Sequence, residues 1–402
     1  MRQTTLAAAA AALALGLGAT QTLAQVSNDA VKIGFITDMS SLYADIDGKN
    51  GVEAIRMAIE DFGGKVLGKP IELVSADHQN KADIAASKAR EWFDQDNVDM
   101  ILGGTNSGTA LAVSGLASGK KRVYFNVGAG SARLTNEDCT PYTVHYAYDT
   151  VALSKVTGSA ILEQGGKSWF FLTADYAFGH SLENDTATVV KAKGGTVVGS
   201  VRHPLNASDF SSFLLQAQSS KAQILGLANA GGDFVNAVKA AREFGINKSM
   251  KMAGLLVFLN DVHSLGLQNT QGLLMTDSWY WDTNDETRKF AQRFFDKTKK
   301  MPSSLQAADY SAITTYLKAV QAAGTDDADK VMAQLKKTKL DDFYAKGYIR
   351  KDGRYVHDMY LMQAKAPSES KAPWDLLKKV ATVPGEQAFT TPAESKCSLM
   401  KG

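Results

Sequence analysis

Only two cysteines, Cys139 and Cys397, and eight prolines punctuate the 402 residues of this chain. Cysteine this sparse excludes a small disulfide-built scaffold, and C-x-x-C metal or redox pairs are missing. Charge of neither sign dominates: 44 basic and 42 acidic residues leave a formal net charge of +2, with no Lys/Arg block to grip a phosphate backbone. Nucleic acid is therefore not an expected partner. Catalytic signatures are absent as well, among them G-x-S-x-G, the G-x-x-x-x-G-K-[ST] phosphate loop and H-E-x-x-H. The six histidines (His78, His145, His180, His203, His263, His357) are scattered without metal-ligand spacing, so neither a metal nor another cofactor is expected. Gly128-Ala129-Gly130 opens like a dinucleotide loop but lacks the third glycine. Nothing nominates a nucleophile or a general base, and the reading is a protein that is not an enzyme.

Long hydrophobic runs are confined to the first residues. Arg2 precedes an Ala/Leu-rich stretch from Leu6 to Gly18, and Thr22-Leu23-Ala24 places small residues where a signal peptidase reads them. This is the pattern of a secretory signal peptide over residues 1–24, cleaved after Ala24. No other stretch approaches the ~20 apolar residues a membrane span needs, and no cysteine follows the cleavage site for lipid attachment. The mature protein is expected in the periplasm. In that oxidising compartment Cys139 and Cys397 read as a disulfide, with two buried free thiols as the alternative.

Short β-branched runs alternate with helix-length amphipathic stretches. Strands are expected at Val31–Ile36, Pro70–Ser75, Met100–Gly103 and Val123–Val127, with helices at Gly51–Phe62, Asp83–Phe93 and Thr109–Leu116. The rhythm restarts at Ser168–Thr173, with further strands at Thr196–Val201 and Gln223–Ala228 and helices at Phe178–Lys193, Phe210–Ser219 and Phe234–Phe244. Two α/β units with parallel sheets follow from this order. They are joined by no floppy linker, only by the extended segment near Val144–Asp149. A hinged pair with a cleft between them is expected, and the ligand belongs outside the carboxyl ends of the strands. Beyond Thr276, helices are expected at Asp285–Lys299 and Leu305–Ala323, a hairpin turning at Asp352-Gly353, one strand over Tyr355–Lys365, and a tail from Ala366 that wraps without contributing to the core.

Several segments, in this order, resemble the leucine/isoleucine/valine-binding protein family of type I periplasmic binding proteins. They are VKIGFITDMSSLYADIDGKNGVEAI, SADHQN, ILGGTNSGTALAV, VYFNVGAGSARLTN, DYAFGHSLE, GLANAGGDFVNAVKAAREFGI, DGRYVHDMYL and ESKCSLM. The resemblance implies two Rossmann-like lobes joined by a three-segment hinge. Lobe one would comprise residues 31–146 plus 277–348, and lobe two residues 147–276 plus 349–402. It also implies a small-molecule ligand, a permease of an ABC importer in the inner membrane as partner, and a monomer. In the subfamily it resembles, some members bind branched-chain amino acids and others aromatic carboxylates.

Carried onto this chain, the resemblance places a ligand carboxylate at Asn106-Ser107 and at the turn Gly128-Ala129-Gly130-Ser131. Both follow expected strands and precede helices, where unpaired N–H groups favour an anion. Ser107 reads equally as a helix cap and Gly128 as a loop glycine. Tyr176 and Asn229 would come from the closing lobe, with a core tyrosine and a glycine-rich turn as their plainer readings. Tyr43, Tyr148 and Trp281 would supply aromatic walls, or simply core. Amino-acid binders of the family place an acid in the second lobe against the α-ammonium. That position falls in Met252-Ala253-Gly254-Leu255-Leu256, at Leu255, where there is no acid. The expected ligand is thus a small carboxylate without an α-amino group, an aromatic acid foremost. A branched-chain amino acid, or an amide or urea-like solute held through Asn229, is the alternative. A sensory receptor feeding a signalling partner is the alternative to import, and an enzyme ranks third.

Overall fold

The computed structural model describes residues 26–401, so the expected signal peptide lies outside the described residues. The first sheet contains β1 (Val31–Thr37), β2 (Lys65–Val66), β3 (Lys69–Asp77), β4 (Met100–Gly103), β5 (Val123–Asn126) and β6 (Thr143–His145). Their order is β2-β3-β1-β4-β5-β6, parallel except for the small β2–β3 hairpin. Met100–Gly103 and Val123–Asn126 are buried throughout, as strands covered on both faces must be, which is why they read as unbroken apolar runs. Helices α1 (Gly48–Asp61), α2 (Ala82–Asp94) and α3 (Ser107–Gly119) supply the covers.

A second unit repeats the plan after a helical passage, α4 (Thr150–Leu153), one π turn (Ser154–Gly158) and α5 (Ser159–Glu163), that the sequence pattern did not reveal. Its strands are β7 (Ser168–Ala174), β8 (Thr196–His203), β9 (Ile224–Ala228) and β10 (Lys251–Gly254), in the order β10-β9-β7-β8 and all parallel. Helices α6 (Ala177–Ala192), α7 (Ser211–Ser219), α8 (Gly231–Glu243), α9 (Leu259–Leu265) and α10 (Leu267–Thr270) complete it. In each sheet the chain winds both ways from one strand, β1 or β7. Loops leaving the carboxyl ends around that strand diverge and open a crevice.

The chain then returns through β11 (Leu274–Asp277) to α11 (Asp285–Thr298), α12 (Ser304–Ala323) and α13 (Ala328–Lys337), with α12 packed on α1. Strands β12 (Lys339–Asp341), β13 (Lys346–Ile349) and β14 (Tyr355–His357) form a small antiparallel sheet, whose hairpin turns at Gly353 with φ +86°. Two expectations need correction here. Residues 355–365 are not one strand: β14 ends at His357, and β15 (Met359–Ala364) joins β11 in a different sheet. Nor does the tail merely wrap, because β16 (Leu377–Val383) pairs with β15 and Leu376 and Leu377 enter a hydrophobic core. The break at Asp358 is enforced from the tail side. Gly385 donates its N–H to the Asp358 carboxylate, and a Cβ on Gly385 would lie 2.5 Å from the His357 carbonyl oxygen.

Cys139 and Cys397 are joined by a disulfide, with Cα atoms 5.6 Å apart. Around it the tail is tied to residues 136–137: Lys396 donates its N–H to Asn136 and pairs with Glu137 at 3.0 Å. No helix among the described residues is long and apolar enough to cross a membrane.

Candidate ligand-binding cleft

The carboxyl ends of the two sheets face one small shared cavity. Each switch-point loop contributes to it: Tyr43 and Ile46 after β1, Thr105 to Ser107 after β4, Gly128 to Gly130 after β5, and Tyr148 after β6. From the other side come Tyr176 and Phe178 after β7, Ala230 after β9 and Leu256 after β10.

One wall is the N-terminus of α3. Asn106 caps this helix from a left-handed backbone, φ 72°, which a residue other than glycine adopts only under constraint. Its Oδ1 accepts from the N–H groups of Gly108 and Thr109 at 2.9 and 3.2 Å. The cap is therefore Asn106, and Ser107 is the first helical residue. Ser107 Oγ accepts the Ser131 N–H at 3.0 Å and keeps its own proton free to donate. No acceptor is found among the described residues for the N–H of Ser107 or of Gly130. Those two amides and one hydroxyl make a donor-rich cradle at a helix start, an arrangement of the kind that favours an anion.

The facing turn is held so that its carbonyls are already used. Gly128 C=O accepts from the Tyr148 hydroxyl at 2.5 Å, Gly130 C=O from the Thr150 N–H at 2.8 Å. Ala129 C=O takes the Asn126 amide at 2.7 Å and His145 Nε2 at 2.8 Å. Burial, and then the Arg354 charge, hold the His145 imidazole well below its ordinary pKa, so it is neutral and its protonated Nε2 serves Ala129. Gly128 has no room for a side chain: a Cβ there would lie 2.8 Å from both the Gly104 carbonyl oxygen and the Leu305 side chain.

The rest of the lining is aromatic and apolar: Tyr43, Tyr148, Tyr176 and Phe178 with Ile46, Ala230 and Leu256. The Tyr43 and Tyr176 hydroxyls meet at 2.7 Å across the cleft. Burial raises the pKa of Tyr43, Tyr148 and Tyr176 alike, so all three phenols remain neutral. No charged side chain lines the cavity among the described residues.

Four residues assigned to the site from sequence stand elsewhere. Leu255 is fully buried in the core with its N–H on the Leu227 carbonyl, and its neighbour Leu256 takes the wall. Asn229 is buried against His203, Nδ2 to Nε2 at 3.1 Å, and does not reach the cavity. Trp281 turns away, donating its Nε1–H to the Trp374 carbonyl at 3.1 Å. Ser131 stands behind the cradle, bonded to Ser107 and, at 2.8 Å, to Ser181. Thr105, Ile46, Phe178 and Ala230 were not foreseen, whereas Leu256 was expected beside Leu255 as part of the apolar body of the site. Thr105, Phe178 and Ala230 each lie within two residues of an expected site residue, and that adjacency was the available signal.

Behind Thr105, two acids share a closed space. Thr37 donates its hydroxyl to Asp47 at 2.5 Å, and Asp309, fully buried, has no donor for either oxygen. A Cβ on Gly51 would lie 2.4 Å from Asp47 Oδ1 and 2.8 Å from Asp309 Oδ2. Burial pushes Asp47 up to about 6, and burial with the Asp47 charge drives Asp309 well above the carboxylate range. Asp309 thus holds its proton beyond the ordinary carboxylate range. The folded state holds protons that the unfolded chain has released, so this pair favours folding most below about pH 4 and loses that contribution as pH rises through 6 and beyond. Asp309→Asn is expected to flatten that fall, raising stability at pH 8 relative to pH 4. Urea unfolding across the pH range measures it. An undiminished fall in the variant assigns the effect to other groups.

Two α/β units whose strand ends converge on one cavity without charged lining define a type I periplasmic binding protein. The comparisons agree. Residues 30–371 match the family model described as periplasmic binding protein, and the chain belongs to that family. A Brucella melitensis relative named Leu/Ile/Val-binding protein homolog 6 is 27% identical over 319 residues, covering 77% of this chain and 80% of its own. A solved periplasmic binding protein from Burkholderia mallei is 73% identical with TM-score 0.92, covering 92% of this chain and 99% of that one. A branched chain amino acid ABC transporter periplasmic ligand-binding protein from Burkholderia xenovorans is 45% identical, TM-score 0.82, over 92% of this chain and 100% of that one. Family membership places the chain among proteins that bind without chemistry.

Proposed function

We propose that this protein is the substrate-binding component of an ABC importer and captures a small organic carboxylate lacking an α-amino group, with an aromatic acid the preferred ligand. One observation carries the reading: the cavity offers N–H and O–H donors at the start of α3 and four aromatic rings, yet no carboxylate lines it. A ligand carboxylate would be met by Ser107 and Gly130. An α-ammonium would be stripped of water without a counter-ion, at an effective cost of several kcal/mol. Solved solute-binding proteins of this fold include one from Rhodopseudomonas palustris in complex with benzoate, 19% identical, and a leucine-binding protein from Thermotoga maritima, 21% identical. Likeness that distant speaks for the fold alone, so the ligand class rests on the lining. The proposed halves are residues 31–146 plus 277–348 and residues 147–276 plus 349–402, closing on ligand by a hinge.

Calorimetric titration of the purified mature protein with benzoate and 4-hydroxybenzoate against leucine tests the proposal. Binding of an aromatic acid with no response to leucine is expected, and Leu256→Glu should weaken it about a hundredfold by setting a second anion in the cavity. Micromolar leucine binding without any response to aromatic acids would overturn it.

A further inference from the structure

The loop between β1 and α1, residues 38–47, leaves the first sheet yet bonds directly to elements of the second at three points. Gly232 at the start of α8 donates its N–H to the Leu42 carbonyl at 3.0 Å. Asn260 on α9 donates Nδ2–H to the Asp45 carbonyl at 3.0 Å. Tyr43 meets Tyr176 hydroxyl to hydroxyl at 2.7 Å. All three bonds run from protein to protein, so none needs a ligand to bridge it.

The loop is braced at both ends for this task. At its start the Asp38 carboxylate, 0% exposed, accepts the N–H groups of Ser40, Ser41 and Tyr43, the Ser41 hydroxyl, and the Asn80 amide. At its end Ser303 donates to the Ile46 carbonyl at 2.5 Å and Gln306 to the Asp47 carbonyl at 3.0 Å. The opposing surface is shaped to receive it. Gly231 has φ +57°, and a Cβ there would lie 2.5 Å from the Leu42 carbonyl oxygen, so a larger residue would hold α8 away. Asn260 is buried with its Oδ1 unpartnered, which leaves the bond to Asp45 as the side chain's one compensation for losing water.

We infer that the β1–α1 loop is a preformed latch that holds the two halves closed by its own bonds, with Asp38 as the residue that positions it and Asn260 as a receiving contact. Neither residue lines the cavity. The latch raises the fraction of free protein already in the closed form, and ligand binding then draws on that population.

The test uses the unliganded mature protein, so its outcome does not depend on the ligand proposed above. Fluorophores on bio-orthogonal amino acids at Arg90 on α2 and Leu215 on α7, both exposed, report the distance between halves and leave the disulfide untouched. Single-molecule energy transfer then gives the open-to-closed ratio. Asn260→Ala, losing one net hydrogen bond, is expected to raise that ratio about fivefold, and Asp38→Asn to raise it further by loosening all three contacts. The urea midpoint of Asn260→Ala should stay close to the parent's, which separates a latch from a general support. Should Asp38→Asn fail to fold, Asn260→Ala decides alone. An unchanged ratio in folded Asn260→Ala, or a parent protein open throughout, overturns the inference.

Discussion

Replacing Arg354 by methionine is expected to lower the unfolding free energy by about 3–5 kcal/mol. The guanidinium is 0% exposed and sits where the chain first passes between the two sheets. It donates to the carbonyls of Tyr146 at 2.5 Å, Tyr148 at 3.0 Å and Tyr355 at 3.1 Å, stands 3.6 Å from the Asp149 carboxylate, and lies 4.3 Å above the Phe389 ring. Burial pulls its pKa down to about 10, with Asp149 acting the other way, and burial raises Asp149 despite the nearby cation. Desolvation thus exceeds the pair attraction at both partners, so the ion pair as such is not the source of the effect. The loss comes from what methionine leaves behind: the Tyr148 and Tyr355 carbonyls without a donor, the Tyr146 carbonyl with His357 Nε2 alone, and a buried carboxylate without its nearest cation. Arg354→Lys should recover only part of it, because one ammonium on a flexible stem does not reproduce the planar fork. Urea unfolding at pH 7 measures both variants. A loss under about 1 kcal/mol for methionine would show that the carbonyls find water or other donors.

Removing the disulfide as Cys139→Ser with Cys397→Ser is expected to cost about 2–5 kcal/mol. The bond spans 258 residues, and tying so long a loop restricts the unfolded chain strongly, on the order of 5 kcal/mol by chain entropy alone. In the folded state Lys396 and Asn136 hold the same junction, so the tail should stay docked and the loss should register mainly in the unfolded ensemble. Denaturant unfolding of the double variant beside the parent, with thiol counting on the unreduced parent, gives the result. Free thiols in the parent, or equal midpoints, would remove the bond from the list of stabilising features.

Much of the architecture was legible in the sequence because it is written locally. Strands such as Met100–Gly103 are short apolar runs followed by glycine, serine or asparagine and then a helical period, and that succession marks both the parallel sheet and the anion-binding turn beyond it. The family resemblance pointed to Asn106, Ser107 and Gly128 to Gly130, and the local pattern agrees with it, since a strand-turn-helix junction makes its N–H groups available whatever surrounds it. Tyr43, Tyr148 and Tyr176 lie in comparable turns and also reach the cavity. The break after His357 was hidden, because alternation along Tyr355–Lys365 is the same whether its residues serve one sheet or two.

Tertiary structure alone decided the orientation of residues in irregular segments and the pairing of distant polar groups. Beyond Gly254 the chain has no fixed period, so nothing local distinguishes Leu255 from Leu256, and packing against β9 turns the first inward and the second to the cavity. Asn229 was withdrawn by His203, 26 residues away, and Trp281 by Trp374. Asp47 and Asp309, or Arg354 and the carbonyls near residue 147, are ordinary charges in the sequence and become buried partners only when separate elements close over them. By itself the sequence determined the alternation of strand and helix and the donor-rich turns, because backbone hydrogen bonding and side-chain period are properties of neighbours. Which side chains fill the cleft, and which charges lose their water, depended on the packing of elements hundreds of residues apart.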